Sequence, residues 1–154
     1  MSETTQEIQA FGRFEGNTHI LPLRIYYEDT DLSGVVYHAN YLRYMERGRS
    51  EYFRSAGITR LAMLEEAEPT AWTIRKAALD YFKPARVDDL IEVRTICTGI
   101  TGARMTADQK IYAKGALLTH GRIEACIITL SGKPRRIPRE MRQILEPLVV
   151  ETET

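Results

Sequence analysis

Apolar residues recur along this chain with two different periods. Within HANYLRYMERGRSEYFRSA, residues 38–56, Tyr41, Met45, Gly48, Tyr52 and Ala56 fall three or four apart, with Leu42, Arg49 and Phe53 beside them. That spacing predicts one long amphipathic helix. Asn40 is placed to cap its start and Gly57 to end it. Arg43, Arg47 and Glu51 lie on another face at i, i+4 spacing, which pairs Arg47 with Glu51. Gly48 costs roughly 1 kcal/mol against alanine in a helix interior; a close approach of the helix to another backbone explains keeping it. A second, short helix is expected at TRLAMLEEA, residues 59–67.

Elsewhere the pattern alternates. IQAFGRF, then EGN, then THILPLRIYYED reads as strand, tight turn, strand. After Pro69 come TAWTIRKAALDYF, DLIEVRTICTGI, ARMTADQKIYAKG and ALLTHGRIEACIITLSG, long strands punctuated by Lys83-Pro84-Ala85, Thr101-Gly102, Gly115 and Gly132. IPREMRQILEPL suits a short C-terminal helix, with Pro138 near its first turn. Strand, one long helix, then a run of antiparallel strands predicts an α+β domain in which a curved sheet of about five strands wraps the helix. A sheet with one helix leaves edges and an outer face open, so a homo-oligomer is expected.

Composition narrows the class. A chain of 154 residues suits one domain, and 44% hydrophobic with 27% charged residues is a globular balance. Lys plus Arg equals Asp plus Glu at 21 each, so charge gives no reason to expect nucleic acid or a membrane surface. The start, MSETTQEIQA, is polar and acidic, unlike a secretory leader, and the longest apolar run is too short to span a bilayer. Cys97 and Cys126 lack ligand spacing and read as a reduced pair in strands, with a disulfide left open.

The chemistry concentrates in YYEDTDLSGVVYH, residues 26–38, where Glu28, Asp29 and Asp31 crowd the end of an expected strand. Asp31 before Ser-Gly is a natural Asx-turn residue. It is also a carboxylate between a strand end and a helix N-terminus, where free N–H groups and partial positive charge suit an oxyanion. Both readings stay open. If the strand's alternation continues, Asp29 shares the face of Asp31 and Glu28 does not. A metal site would use Asp29, Asp31 and His38, but no HExxH or DxDxDG pattern supports one, and none is expected. His38 is a structural histidine or, at the first helical turn, the bearer of a useful backbone N–H. Glu46 is the reserve carboxylate. Lys83, Arg86 and Arg104, near strand ends or turns, are either phosphate contacts or ordinary surface charge, and GKPRR reads as a solvated basic run. There is no GxSxG, Walker motif or GxGxxG.

YYEDTDLSGVVYHANYLRYMERGRSEYFRSAGI, and later YFKPARVDDLIEV, resemble the 4-hydroxybenzoyl-CoA thioesterase-like hotdog family, in particular its Tol–Pal-associated acyl-CoA thioesterase branch. The likeness runs from about Leu23 to about Ile128. Residues 1–20 are expected to be an N-terminal extension, 21–148 a single hotdog thioesterase domain and 149–154 a C-terminal tail. The resemblance implies a long helix wrapped by an antiparallel sheet, dimers that often pair into tetramers, and hydrolysis of acyl-CoA thioesters. It places the catalytic aspartate on Asp31 and the helix-start amide that polarises the thioester carbonyl on His38, with Tyr37 and Ala39 beside it. It implies basic CoA contacts, for which Lys83, Arg86 and Arg104 are the candidates. In TGITGARMT several expected basic positions are Thr, Gly or Ala, and Arg104 is the nearby charge. It implies no cofactor or metal and association with envelope-division proteins, and the reduced cysteine pair reads as cytoplasmic. Two rivals remain. One is an enoyl-thioester hydratase using Asp31 with the His38 ring, against which the missing D-x-N-P-x-H pattern counts. The other is a non-catalytic acyl-thioester binding or scaffold protein.

Overall fold

A computed structural model describes residues 11–59 and 62–152. Helix α1 runs from Asn40 to Ser55 and buries Tyr41, Tyr44, Met45, Gly48, Tyr52 and Phe53, the stripe its periodicity predicts. It starts without a side-chain cap on Ala39. Asn40, expected as the cap, is already helical, and its amide donates to the Asp29 carbonyl at 2.9 Å instead. The Ile58 N–H returns to the Phe53 carbonyl past Gly57, closing the helix. Glu51 pairs with Arg54 rather than Arg47.

The strands are β1 (Arg13–Glu15), β2 (Thr18–Arg24), β3 (Ala62–Met63), β4 (Thr70–Tyr81), β5 (Leu90–Ile100), β6 (Arg104–Ala113), β7 (Ala116–Thr129) and β8 (Pro134–Arg135). They form one antiparallel sheet in the order β1-β2-β5-β6-β7-β4-β3, with β8 on β7. The five long strands, β2 and β4 to β7, are the expected curved sheet, and α1 packs on its inner face. Ile91, Val93, Thr95 and Cys97 of β5, and Met105, Ala107, Gln109 and Ile111 of β6, point inward. One apolar cluster gathers Tyr41, Tyr44 and Met45 with Ile25, Val36, Ile91 and Ile111. The other gathers Tyr52 and Phe53 with Met105, Ile127 and, from helix α2 (Arg139–Leu145), Met141 and Leu145. Each such burial is worth about 1.5–3 kcal/mol.

The helix sits unusually close to the sheet at Gly48. A Cβ there would lie 2.7 Å from Val93 Cγ1 and 3.0 Å from the Gln109 amide nitrogen. Gln109, fully buried, fills the gap with hydrogen bonds: its NH2 donates to the Met45 carbonyl and to Thr95 Oγ1, and its carbonyl accepts from Arg49, all at 2.9 Å. The close backbone approach expected from a mid-helix glycine is thus an approach to side chains of β5 and β6.

Two expectations fail locally. Strand β2 ends at Arg24, not near Asp31, because Asp29 accepts from the Tyr26 N–H at 2.7 Å and winds Tyr27–Asp29 into a 3-10 turn. Strand alternation therefore does not set the faces of Asp29 and Asp31. In the stretch expected to be a second helix, Ala62–Met63 pairs with Thr70–Ala71, and Pro69 blocks helix continuation; Arg60 and Leu61 lie outside the described residues. The basic run GKPRR is exposed, as expected of a solvated run, and also contributes β8, where Arg135 pairs with Glu68. Residues 8–10 of the first expected strand also lie outside the described residues. Residues 13–15 and 18–20, within the expected N-terminal extension, pair in the sheet, and Val150 of the expected tail donates to the Cys97 carbonyl at 2.8 Å. Cys97 and Cys126 are free thiols; burial pushes Cys97 up to about 11. β3 covers only Thr70 and Ala71, so the rest of β4 is an open edge among the described residues. Among those residues, no helix is long and apolar enough to cross a membrane.

His19 on β2 is fully buried, with Nε2 3.1 Å from Ser55 Oγ, Nδ1 unpartnered and the rings of Phe14 and Tyr52 around it. Burial drives its pKa from 6.5 down to about 4. Between those values the unfolded chain binds a proton that the folded chain refuses. This group's contribution is therefore intact above pH 6.5 and declines as pH falls toward 4, by up to about 3 kcal/mol. Urea unfolding from pH 7 to 4 is expected to show a steeper loss of stability in the native chain than in His19→Phe.

Candidate active site

The loop between β2 and α1 is a chain of short-range bonds. The Asp31 N–H donates to the Val35 carbonyl and the Gly34 N–H to the Asp31 carbonyl, at 3.0 and 3.1 Å, making a tight turn. Gly34 sits at φ +82°, the left-handed region that glycine enters without strain. Within the turn, Asp31 Oδ1 accepts from both the Ser33 N–H (2.7 Å) and the Ser33 hydroxyl. The Asx geometry read from the sequence is present, and it leaves Oδ2 without a hydrogen bond among the described residues. The turn and functional readings of Asp31 are therefore compatible. The two bonds from Ser33, with a lesser pull from His38, hold the Asp31 carboxyl below its ordinary range. It is a carboxylate at neutral pH, suited to attack or to accept a proton, and unsuited to donate one.

The loop is pinned to the sheet on its far side. The Val36 N–H donates to the Ala85 carbonyl at 2.9 Å, and Val35 bridges to Arg86. Tyr41, buried on α1, accepts from the Ala85 N–H through its hydroxyl at 3.0 Å. Tyr81, at the end of β4, donates its hydroxyl to the His38 carbonyl at 3.0 Å. The Asp29 carbonyl takes both the Tyr37 N–H (3.0 Å) and the Asn40 amide (2.9 Å).

These bonds sort the amides at the start of the helix. Tyr37 N–H is spent on Asp29, so of the three expected amide donors it is the one already occupied. His38 and Ala39 N–H have no hydrogen-bond partner among the described residues. They stand at the N-terminus of a 16-residue helix, where the macrodipole adds partial positive charge. The His38 ring is exposed and lies against Tyr37 and Tyr81, with centroids 4.6 and 6.3 Å away.

Arg86 borders the loop through its bridge to Val35, and its N–H is held by Asp89 at 2.9 Å. Lys83 follows the end of β4, its N–H on the Leu118 carbonyl. Arg104 is elsewhere. It opens β6, whose other end, Ala113, is the end near the loop, and it faces Glu124 at 3.5 Å, which also binds Arg75. The length of β6 puts Arg104 roughly 30 Å from that end, so one chain does not bring it to Asp31. The Asp29 carboxylate is used within its own turn, and among the described residues no group of three or more His, Cys, Asp or Glu is arranged to hold a metal.

Periodicity did not reveal a groove of about 600 Å³ between α1 and β4, lined by Leu42, Glu46, Arg49, Phe53, Trp72 and Ile74 among others. The available signal was Arg49, a charge beside the apolar stripe of the helix. The groove begins one turn after the free amides and ends where Phe53 stacks on Trp72 at 5.5 Å.

The sequence matches the thioesterase superfamily over residues 33–119. It is 38% identical over 122 residues to the acyl-CoA thioester hydrolase YbgC of Escherichia coli, covering 78% of this chain and 90% of that protein. It is 37% identical over 127 residues to the acyl-CoA thioesterase YbgC of Haemophilus influenzae, covering 82% and 93%. The crystal structure of a probable thioesterase from Bartonella henselae superposes with a TM-score of 0.75 at 38% identity, over 79% of this chain and 98% of that one. With a long helix seated in a curved antiparallel sheet and this level of identity, the chain belongs to the thioesterase superfamily and is a hotdog-fold thioesterase.

Proposed function

We propose that the enzyme hydrolyses acyl-CoA thioesters to the free acid and CoA, with Asp31 and the His38 and Ala39 amides as its reacting centre. The observation that carries this reading is the pair of unpartnered N–H groups at the start of α1, beside a turn that holds an ionised aspartate. The thioester oxygen accepts from both amides, which stabilise the negative charge that develops as the carbonyl becomes tetrahedral. Asp31 either attacks the carbonyl, giving a mixed anhydride that water then opens, or takes a proton from the attacking water. In both routes the C–S bond breaks and CoA leaves as a thiolate, which needs no strong general acid. Each amide donor is worth about 3–4 kcal/mol at the transition state.

CoA is part of the substrate, and neither a metal nor a bound cofactor has a role. Arg86 and Lys83, beside the loop, are the phosphate contacts this reading favours; Arg104 serves only if a second subunit brings it to the site. The open edge of β4 supports a homodimer, from which a tetramer can be built. A CoA substrate accords with a cytoplasmic location, and the branch resemblance extends the proposal to envelope-division partners. Enoyl-thioester hydration would require the His38 ring at the reacting carbon, whereas the proposed hydrolysis uses only the backbone N–H of His38.

Two outcomes test the reading. Asp31→Asn is expected to lower thiol release from acyl-CoA by about 100-fold or more; near-native rates would contradict the mechanism. Ser33→Ala removes a hydrogen bond that favours the charged carboxylate, so the Asp31 pKa rises. The acid limb of its kcat/KM profile is expected to move to higher pH, read by rates across the acid range.

A further inference from the structure

We infer that the groove between α1 and β4 selects acyl groups bearing a hydroxyl at or near the distal end of the chain, bound between Arg49 and Glu46. This rests on the thioesterase reading and adds a substrate class to it. The walls are mostly apolar, with Phe53, Trp72, Ile74, Met105 and Ile123 among them. Against that wall Arg49 is half-buried, and burial lowers its pKa.

A desolvated guanidinium is costly unless its donors are met. Arg49 has five N–H donors, and one of them reaches the Gln109 carbonyl at 2.9 Å. No carboxylate lies within ion-pair distance of it among the described residues. Gln109 cannot turn away, because its NH2 is fixed by Met45 and Thr95. The cation is therefore held at the groove, favoured by Glu46, and its other donors, without a protein partner among the described residues, face solvent until an acyl chain covers them.

The neighbouring charges decide what kind of acceptor fits. Glu46, one turn earlier, lines the same groove, and Arg43, exposed, lies nearer the mouth. A plain alkyl end leaves the Arg49 donors desolvated. A carboxylate end satisfies Arg49 and meets repulsion from Glu46. A hydroxyl accepts from Arg49 and donates to Glu46. Ala39 precedes Glu46 by seven residues and Arg49 by ten, so the hydroxyl belongs about 10–15 Å along the helix from the thioester carbonyl. That distance requires a medium or long chain.

The test uses the full-length protein and three substrate series across chain lengths: alkanoyl-CoAs, ω-hydroxyalkanoyl-CoAs and ω-carboxyalkanoyl-CoAs, following free thiol. At the best chain length, kcat/KM for the ω-hydroxy series is expected to exceed the alkanoyl series by about tenfold or more, the scale of a hydrogen bond to a charged group. Arg49→Met is expected to collapse that ratio, with Arg49→Lys restoring part of it. Should Arg49→Met fail to fold, Glu46→Gln reads the other partner and is expected to raise ω-carboxy relative to ω-hydroxy turnover. An alkanoyl preference in the native enzyme, or a ratio unchanged by Arg49→Met, overturns the inference. A changed assembly mass in solution with an unchanged ratio overturns it too, and assigns the cation to a subunit contact. Absence of thiol release from all three series overturns the thioesterase reading itself.

Discussion

The structure depends on how closely α1 can lie on the sheet. Gly48 offers no Cβ, and a methyl group there would press within 2.7 Å of Val93. Gln109 occupies the remaining gap, bonded to helix and sheet together. A buried amide satisfied on both sides is costly to disturb, because each group left unpaired loses about 1–3 kcal/mol. The helix is thereby fixed in depth as well as direction. The helix in turn sets the position of its first amides, which the proposed mechanism uses to hold the thioester oxygen.

The loop carrying Asp31 is fixed by a separate set of bonds that meets the helix at two points. The Asp29 carbonyl takes both the Tyr37 N–H and the Asn40 side chain, and Tyr81 reaches the His38 carbonyl from β4. One effect is to spend the amide of Tyr37 while leaving those of His38 and Ala39 unspent. Another is to hold the carboxylate by its Oδ1 on Ser33, so that Oδ2 is the oxygen left for chemistry. On the proposed mechanism, a turn that looks purely structural orients the reacting carboxylate.

Much of this was legible in the sequence. The three-to-four spacing from Tyr41 to Tyr52 gives α1, and the long runs after Pro69 give β4 to β7; burial of one face imposes the alternation along β5 to β7 but not along β4. Asp31 was singled out between an expected strand end and a helix; the turn and the helix are there, while β2 stops at Arg24. What was not legible follows from hydrogen bonds between near neighbours and from pairing at a distance. The 3-10 turn at Tyr27–Asp29 comes from a carboxylate bonding three residues back, which overrides strand alternation. Ala62–Met63 is a strand because Thr70–Ala71 is there to pair with it. Arg104, adjacent to nothing informative in the sequence, lies far from Asp31 because the β6 register carries it to the other end of the sheet. The groove required the separation of α1 and β4, which no local pattern encodes.

The central claim is that the two unspent amides, and not their neighbour, receive the thioester oxygen. It is tested most directly by amide NMR on the 15N-labelled enzyme, titrated with an acyl-CoA analogue whose thioester sulfur is replaced by a methylene. The account predicts that the His38 and Ala39 amide protons move downfield on saturation while that of Tyr37, already bonded to Asp29, does not follow them. Saturation that leaves His38 and Ala39 unmoved would contradict it.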